Sequence, residues 1–109
     1  MNAKMTLARA LARNTDLAAP EKRRQLNQLT ADVRRDYDDE IGRIRRDIAA
    51  LGMTGTSAAW RTLVGVVTGV PFSRADGAAS IARLRVQLAE KHTAKFAAMA
   101  ELKILKTLA

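Results

Sequence analysis

Three pairs of adjacent arginines recur every eleven residues in the first half of the chain. The pairs are Arg23-Arg24, Arg34-Arg35 and Arg45-Arg46. Eleven residues make nearly three helical turns, so in a helix the equivalent members of each pair fall on one face, about 16 Å apart along the axis. A row of cations with this geometry could bind a phosphate backbone. We therefore treat these six arginines as candidate nucleic-acid-binding residues.

An acidic segment between the arginine pairs supports an alternative interpretation. Residues 36–40 read DYDDE, and residues 36–52 carry five acids and three bases. A phosphate backbone that followed the whole helix would meet this negative patch. On the alternative interpretation the arginines form a solvated, salt-bridged face, in which Arg34 pairs with Asp38 and Arg35 with Asp39 as weak surface contacts.

A second candidate surface lies near the end of the sequence. The chain has 19 Lys and Arg against 11 Asp and Glu, a formal charge of +8. That sign favours an anionic partner, which is either nucleic acid or an acidic protein surface. Residues 1–35 and 53–109 are the basic regions. The candidates in the second region are Arg83, Arg85, Lys91 and Lys95, followed by Lys103 and Lys106.

Residues suited to catalysis or metal binding are scarce. The chain has no cysteine, which excludes disulfides, thiolate metal sites and cysteine nucleophiles. His92, the only histidine, falls on an apolar stripe, where we expect a core or boundary residue. Asp32, Asp36 and Glu40 are spaced four apart, but the other long segment has too few carboxylates to complete a metal site. We predict a protein that is not an enzyme, with no cofactor, no metal and no small-molecule substrate.

The composition indicates one small all-α domain over residues 1–109. Hydrophobic residues make up 48% of the chain and aromatic residues 4%, and two prolines and six glycines leave long uninterrupted segments. No apolar run is long enough to span a bilayer, so we expect no membrane partner. The absence of cysteine fits a reducing compartment, and we expect a cytoplasmic location.

A small helical bundle with two long and two short helices is the expected fold. The long helices cover about residues 20–51 and 74–107, and the short ones about 3–13 and 57–70. Thr15 and Asp16 are candidate N-caps, and Gly52 is a candidate stop. Residues 1–14 are basic and free of acids, as organelle transit peptides are, but we interpret them as the first helix of the domain.

Each long segment has an apolar stripe at helical spacing. In the first, the first arginine of each pair flanks the stripe and the second points away from it. The stripe of the first segment is Leu26, Leu29, Val33, Tyr37, Ile41, Ile44, Ile48 and Leu51. The stripe of the second is Ile81, Leu84, Leu88, His92, Phe96, Met99 and Leu102.

The lengths of the helices predict self-association. Short helices cannot cover the full length of the long ones, so part of an apolar stripe is left for another chain. After Leu102 the stripe changes side, because Leu105 and Leu108 rotate away from it at about 100° per residue. We expect a homo-oligomer, with Leu102, Leu105 and Leu108 as the candidate partner or oligomer interface.

These patterns predict a non-catalytic helical binding module. It self-associates and docks on nucleic acid, or on a complex that contains nucleic acid, through its basic surface. The alternative is a protein-binding adaptor or inhibitor that acts through apolar helix faces, or a structural assembly protein.

Overall fold

The computed structural model of the protein describes residues 2–54 and 74–109, which form three α-helices. Helix α1 is Asn2–Arg13, α2 is Ala19–Thr54 and α3 is Arg74–Leu108. These two ranges contain no strand, so the all-α prediction is confirmed. Three helices are therefore seen where four were expected, and the predicted short helix over residues 57–70 lies outside the described residues.

The chain divides into two compact units. Unit 1 consists of Met1–Glu40 with Lys91–Ala109, and unit 2 consists of Ile41–Glu90. A single domain over residues 1–109 stays a prediction. Within the described parts of the chain, no helix combines the length and the apolar character needed to cross a membrane.

The turn between α1 and α2 is organised by Asn14. Its side-chain oxygen accepts hydrogen bonds from the backbone N–H groups of Asp16, at 2.7 Å, and Leu17, at 3.2 Å. Such Asx turns replace the backbone hydrogen bonds that a helix end leaves unmade. The predicted N-caps, Thr15 and Asp16, are wrong because α2 begins only at Ala19. At its other end α2 continues through Gly52 to Thr54.

The core of unit 1 is made by all three helices. Met5, Ala8 and Leu11 of α1 are buried, three residues apart on one helix face. Helix α1 therefore supplies one side of the core of unit 1. The remaining buried members of the cluster are Leu26, Val33, Tyr37, Ala98 and Leu102.

The apolar stripe predicted for α2 is confirmed. Five of its members are buried and the other three are half-buried. Thr30 is also buried on this face, where its hydroxyl donates a 2.7 Å hydrogen bond to the carbonyl oxygen of Leu26. That bond satisfies the one polar group on the buried side of this part of α2. The five buried members are Leu26, Val33, Tyr37, Ile41 and Ile44.

The helices of unit 1 run in alternating directions. Lys95 of α3 pairs with Asp38 of α2, and Lys91 pairs with Glu40. Going from the first of these ion pairs to the second, the residue number rises in α2 and falls in α3. The two helices are therefore antiparallel. The short turn at residues 14–18 makes α1 antiparallel to α2 as well. Consequently, α1 and α3 run parallel to each other.

Candidate functional site

Four ion pairs connect the helices of unit 1. Three of them join α2 to a lysine of another helix: Lys4–Asp36 at 2.6 Å, Lys91–Glu40 at 2.7 Å and Lys95–Asp38. The fourth joins α1 to α3, where the Arg9 guanidinium donates to both carboxylate oxygens of Glu101. Exposed pairs of this kind add little stability, but here they determine which acids remain accessible to a ligand.

The acidic segment of α2 is therefore largely neutralised inside unit 1. Asp36, Asp38 and Glu40 each bind a lysine from a neighbouring helix. The hydrogen bond from the Lys4 ammonium group lowers the pKa of Asp36 below its usual value of 3.8, because it favours the charged form of this carboxylate.

The salt bridges predicted within α2 are wrong. Asp38 pairs with Lys95 rather than with Arg34. The Arg35 guanidinium donates to Asp32, one turn earlier in α2, rather than to Asp39. The sequence could not indicate these partners, because the acids at 36, 38 and 40 face neighbouring helices whose lysines are distant along the chain.

The two members of each arginine pair in unit 1 have different surroundings. Arg24 binds Glu21 and Arg35 binds Asp32, each within one turn of α2. Arg23 and Arg34 are exposed, and neither has an acid partner among the described residues. Arg34 lies one turn before Asp38, which faces α3, and Arg23 lies eleven residues earlier. Both arginines are therefore on the side of α2 that borders α3.

Two lysines of α3 extend this surface. Lys106 follows Lys95 by eleven residues, so it lies on the side of α3 that borders α2. Lys103 is one turn before Lys106 and is exposed. Neither lysine forms an ion pair in the part of the chain that the structure describes. We call Arg23, Arg34, Lys103 and Lys106 the basic face.

The other candidate nucleic-acid-binding residues lie elsewhere. Lys91 and Lys95 belong to unit 1, but both are held in the ion pairs with α2. Four of the candidate arginines belong to unit 2 and are exposed, and Arg83 also donates to the Ser80 hydroxyl at 3.2 Å. Those four are Arg45, Arg46, Arg83 and Arg85.

A second surface in unit 1 is apolar and lies on α3. Phe96 is 79% exposed, Ile104 60% and Leu108 67%. Small, uncharged residues lie between them on the same side of the helix, and all are exposed. We call this surface the α3 outer face, and it consists of Thr93, Phe96, Ala97, Ala100, Ile104, Thr107 and Leu108.

The predicted apolar stripe of α3 is confirmed only in part in this region, because its members Met99 and Leu102 pack in the core but two others do not. Phe96 and His92 are exposed, and the core side of α3 is instead made by Ala94, Ala98 and Leu102. Alanines on the core side let α1 and α2 pack close to α3. Because both sides of α3 are apolar, spacing alone did not show which side is buried.

The predicted interface residues have three different environments. Leu102 is fully buried in the core of unit 1, so a partner could not contact it unless the unit opened. Leu105 is half-buried and packs against the same core. Of the three leucines, only Leu108 is exposed. The candidate interface therefore lies on the α3 outer face rather than at Leu102 and Leu105, and Phe96 and Ile104 are the large apolar residues that the prediction missed.

A groove of about 540 Å³ lies between the helices of unit 1. Its lining includes Met5, Tyr37 and Ala98, together with the Arg9–Glu101 ion pair. Both charged groups of the groove are thus already engaged with each other. No group of three or more potential metal ligands occurs among the residues that the structure describes.

Comparison of the chain with protein families, curated proteins and solved structures gives no match. The basic face and the α3 outer face are therefore the two surfaces of unit 1 from which a function can be inferred.

Proposed function

We propose that this protein is a non-catalytic helical module that docks on the phosphate backbone of nucleic acid through the basic face. One observation carries the proposal. Asp38, the acid of α2 nearest to this face, is paired with Lys95 of α3, whereas the four cations of the face have no acid partner in the described ranges. The face therefore presents net positive charge to solvent.

The acidic segment of α2 no longer argues against this function. Asp38 is the acid next to Arg34, and its charge is balanced by Lys95. Asp39 is exposed, but it lies about 140° round the helix from Arg34. A phosphate that contacts Arg34 from the α3 side is therefore not opposed by an unbalanced carboxylate of α2.

Docking of this kind depends on charge and not on base sequence. Each phosphate that a cation neutralises releases counterions, so the logarithm of the binding constant falls with the logarithm of the salt concentration. Four cations that each contact one phosphate of a duplex predict a slope of about −3.6. Binding is accordingly strong at low salt, weak at high salt and similar for duplexes of different sequence. A cytoplasmic site of action belongs to this proposal.

The test compares two double variants that remove the same charge from α2. Fluorescence anisotropy measures the affinity for a labelled duplex of about 20 base pairs, over a series of salt concentrations. Arg23→Ala with Arg34→Ala removes two cations of the basic face. We expect this variant to bind about tenfold more weakly at low salt, with a slope reduced by about 1.8.

Arg24→Ala with Arg35→Ala is the matched control. These arginines are the immediate neighbours of Arg23 and Arg34, but they are bonded to Glu21 and Asp32. We expect the control to keep most of the affinity. Equal losses in the two double variants, or binding that does not respond to salt, would contradict docking through the basic face.

A protein-binding adaptor or inhibitor is the second candidate function. The exposed side chains of Phe96, Ile104 and Leu108 favour it, because contiguous exposed apolar groups are typical of protein interaction sites. If the wild-type protein shows no affinity for the duplex at low salt, the nucleic-acid function is wrong and this candidate replaces it.

A further inference from the structure

We infer that the α3 outer face is the contact surface between two copies of this chain, packed antiparallel about a two-fold axis at Ala100. This inference does not depend on nucleic-acid binding. The proposed surface lies on the part of α3 that belongs to unit 1. It replaces the interface of Leu102, Leu105 and Leu108 that the sequence suggested.

The exposure of large apolar groups is the first observation. Phe96, Ile104 and Leu108 are each at least 60% exposed, although α3 has alanines on its core side that leave these larger side chains outside. Burying side chains of this size against a second surface is favourable, because it removes apolar area from water. The α3 outer face contains no charged residue, so burying it removes no charge from water.

The spacing of these residues around Ala100 is the second observation. In an antiparallel pair centred on Ala100, residues equally far before and after it lie at the same level. Phe96 then meets Ile104 of the second copy, and Thr93 lies level with Thr107. Ala100 meets its own copy at the centre, where its small side chain lets the two helices approach closely. On both copies, the large side chains of Phe96 and Ile104 thus lie on either side of the small side chain of Ala100. A two-fold interface, in which the same surface contacts itself, requires such a self-complementary arrangement.

The position of charge distinguishes this arrangement from a parallel one. Lys103 is the cation next to the α3 outer face, and it has no ion-pair partner in the described part of the chain. In a parallel pair the two copies of Lys103 would lie on opposite sides of the contact, and neither would reach the Phe96 ring of the other copy. In the antiparallel pair Lys103 lies level with Ala97, one turn or less from the ring of Phe96 of the second copy. An ammonium group over an aromatic ring is a favourable contact.

The size of the surface indicates a weak pair. The α3 outer face extends over residues 93–108, about 24 Å at 1.5 Å per residue. A contact between two helices of this length is at the low end of specific interfaces, which bury about 1,200–2,000 Å². We therefore expect dissociation in the micromolar range, so that monomers and pairs exchange with protein concentration.

The first test measures mass as a function of concentration, in the absence of nucleic acid. Light scattering after size exclusion is expected to show the wild-type protein moving from 11.9 kDa towards twice that mass as concentration rises. Ala100→Glu places two carboxylates together at the two-fold axis and should weaken the pair at least tenfold. Ala31→Glu is the matched control, because Ala31 is an exposed alanine of α2 in the same unit.

A second test measures the direction of the pair by disulfide formation. The natural chain has no cysteine, so a single introduced cysteine reports only on its own position. Ala100→Cys should form a linked pair on mild oxidation. Thr93→Cys should not link with itself, but it should link with Thr107→Cys when the two variants are mixed. Circular dichroism of each variant checks that the helices are retained.

The results either support the inference or overturn it. Linking of Ala100→Cys and of the mixed variants, without linking of Thr93→Cys alone, supports the antiparallel pair. Self-linking of Thr93→Cys would show a parallel pair and overturn the register. A constant mass of one chain, a mass above two chains, or equal weakening by Ala31→Glu and Ala100→Glu would overturn the interface. None of these results bears on duplex binding, so the two proposals fail separately.

Discussion

The arginine pairs show how two adjacent residues of the same type acquire different roles. In unit 1 the second arginine of each pair binds an acid of its own helix, and the first has no such partner among the described residues. Helical geometry predicted that the two members point in different directions. It could not predict the partners, because an acid one turn earlier and an acid one turn later are equally close in a helix.

Glu21 provides a test at the scale of a single residue. Hydrogen bonds from Arg24 and then Gln25 lower its pKa from 4.5 to about 2. The carboxylate is thus stabilised in its charged form, so its contribution to stability is present above pH 4.5 and is lost as the pH falls towards 2. In Arg24→Ala we expect the pKa to rise towards 4.5, with part of the shift retained by Gln25. NMR titration of the side-chain carboxyl group measures it.

Arg23→Ala is the control for this titration, because Arg23 makes no contact with Glu21 that lowers its pKa. The pKa of Glu21 should therefore stay at about 2 in that variant. A wild-type Glu21 that titrates near 4.5 would show that the hydrogen bond from Arg24 does not persist in solution.

At the scale of the helices, α2 could be predicted from the sequence and α3 only in part. The apolar residues of α2 follow one line, and a charged surface surrounds them, so its spacing identified the buried side. In α3 the ends were predicted well, but alanines and larger apolar residues occur on both sides. Which side is buried depends on how closely α1 and α2 approach α3, and this is a property of the packed unit.

Gly42 is a weak point within α2 that can be strengthened. A Cβ atom at this position would meet only the end of the Arg46 side chain, at 3.6 Å, which is an ordinary contact. Glycine in a helix interior costs about 0.5–1 kcal/mol relative to alanine. We expect Gly42→Ala to increase the free energy of unfolding by about that amount, measured by urea denaturation followed by circular dichroism.

Gly52→Ala serves as the comparison for Gly42→Ala. Gly52 also has open space around its Cβ position, but it lies in the last turn of α2. Helix ends fray, so the gain there should be smaller. A loss of stability in Gly42→Ala would mean that this glycine has a packing role that its surroundings in α2 do not show.

At the scale of the whole molecule, the sequence predicted the sign of the charge but not the place where it acts. A charge of +8 follows from composition alone. Its distribution depends on ion pairs between residues up to 92 positions apart, such as Arg9 and Glu101. These pairs remove Lys91 and Lys95 from the accessible cations and leave the basic face, and no local pattern in the sequence indicates this.

The antiparallel pair would place both basic faces on the same side. The two-fold axis of this pair is perpendicular to both α3 helices. Rotation about the axis does not reverse directions parallel to it, so α2 lies on the same side of α3 in both copies. A duplex long enough to contact both copies should gain from the second set of cations. Ile104→Ser should therefore lower the affinity for a long duplex several-fold and leave the affinity for a short one nearly unchanged.

Fluorescence anisotropy with duplexes of about 10 and about 30 base pairs measures this difference. Ile104 lies on the side of α3 away from α2, so its substitution does not alter the basic face. Leu7→Ser is the control, because Leu7 is 55% exposed on α1 and is not part of the α3 outer face. Equal losses on the short and the long duplex would show that pairing does not assist docking.

Unit 1 is made of two segments that are far apart along the chain, and this affects how it folds during synthesis. Residues 1–40 obtain their third helix from residues 91–109, so the fifty residues between them must be translated before unit 1 can close. Until then, the buried sides of α1 and α2 lack Ala98 and Leu102 as packing partners. Closing so long a loop is slow relative to formation of the local α1–α2 hairpin. The nascent hairpin is therefore expected to expose its apolar side to solvent until residues 91–109 have been translated.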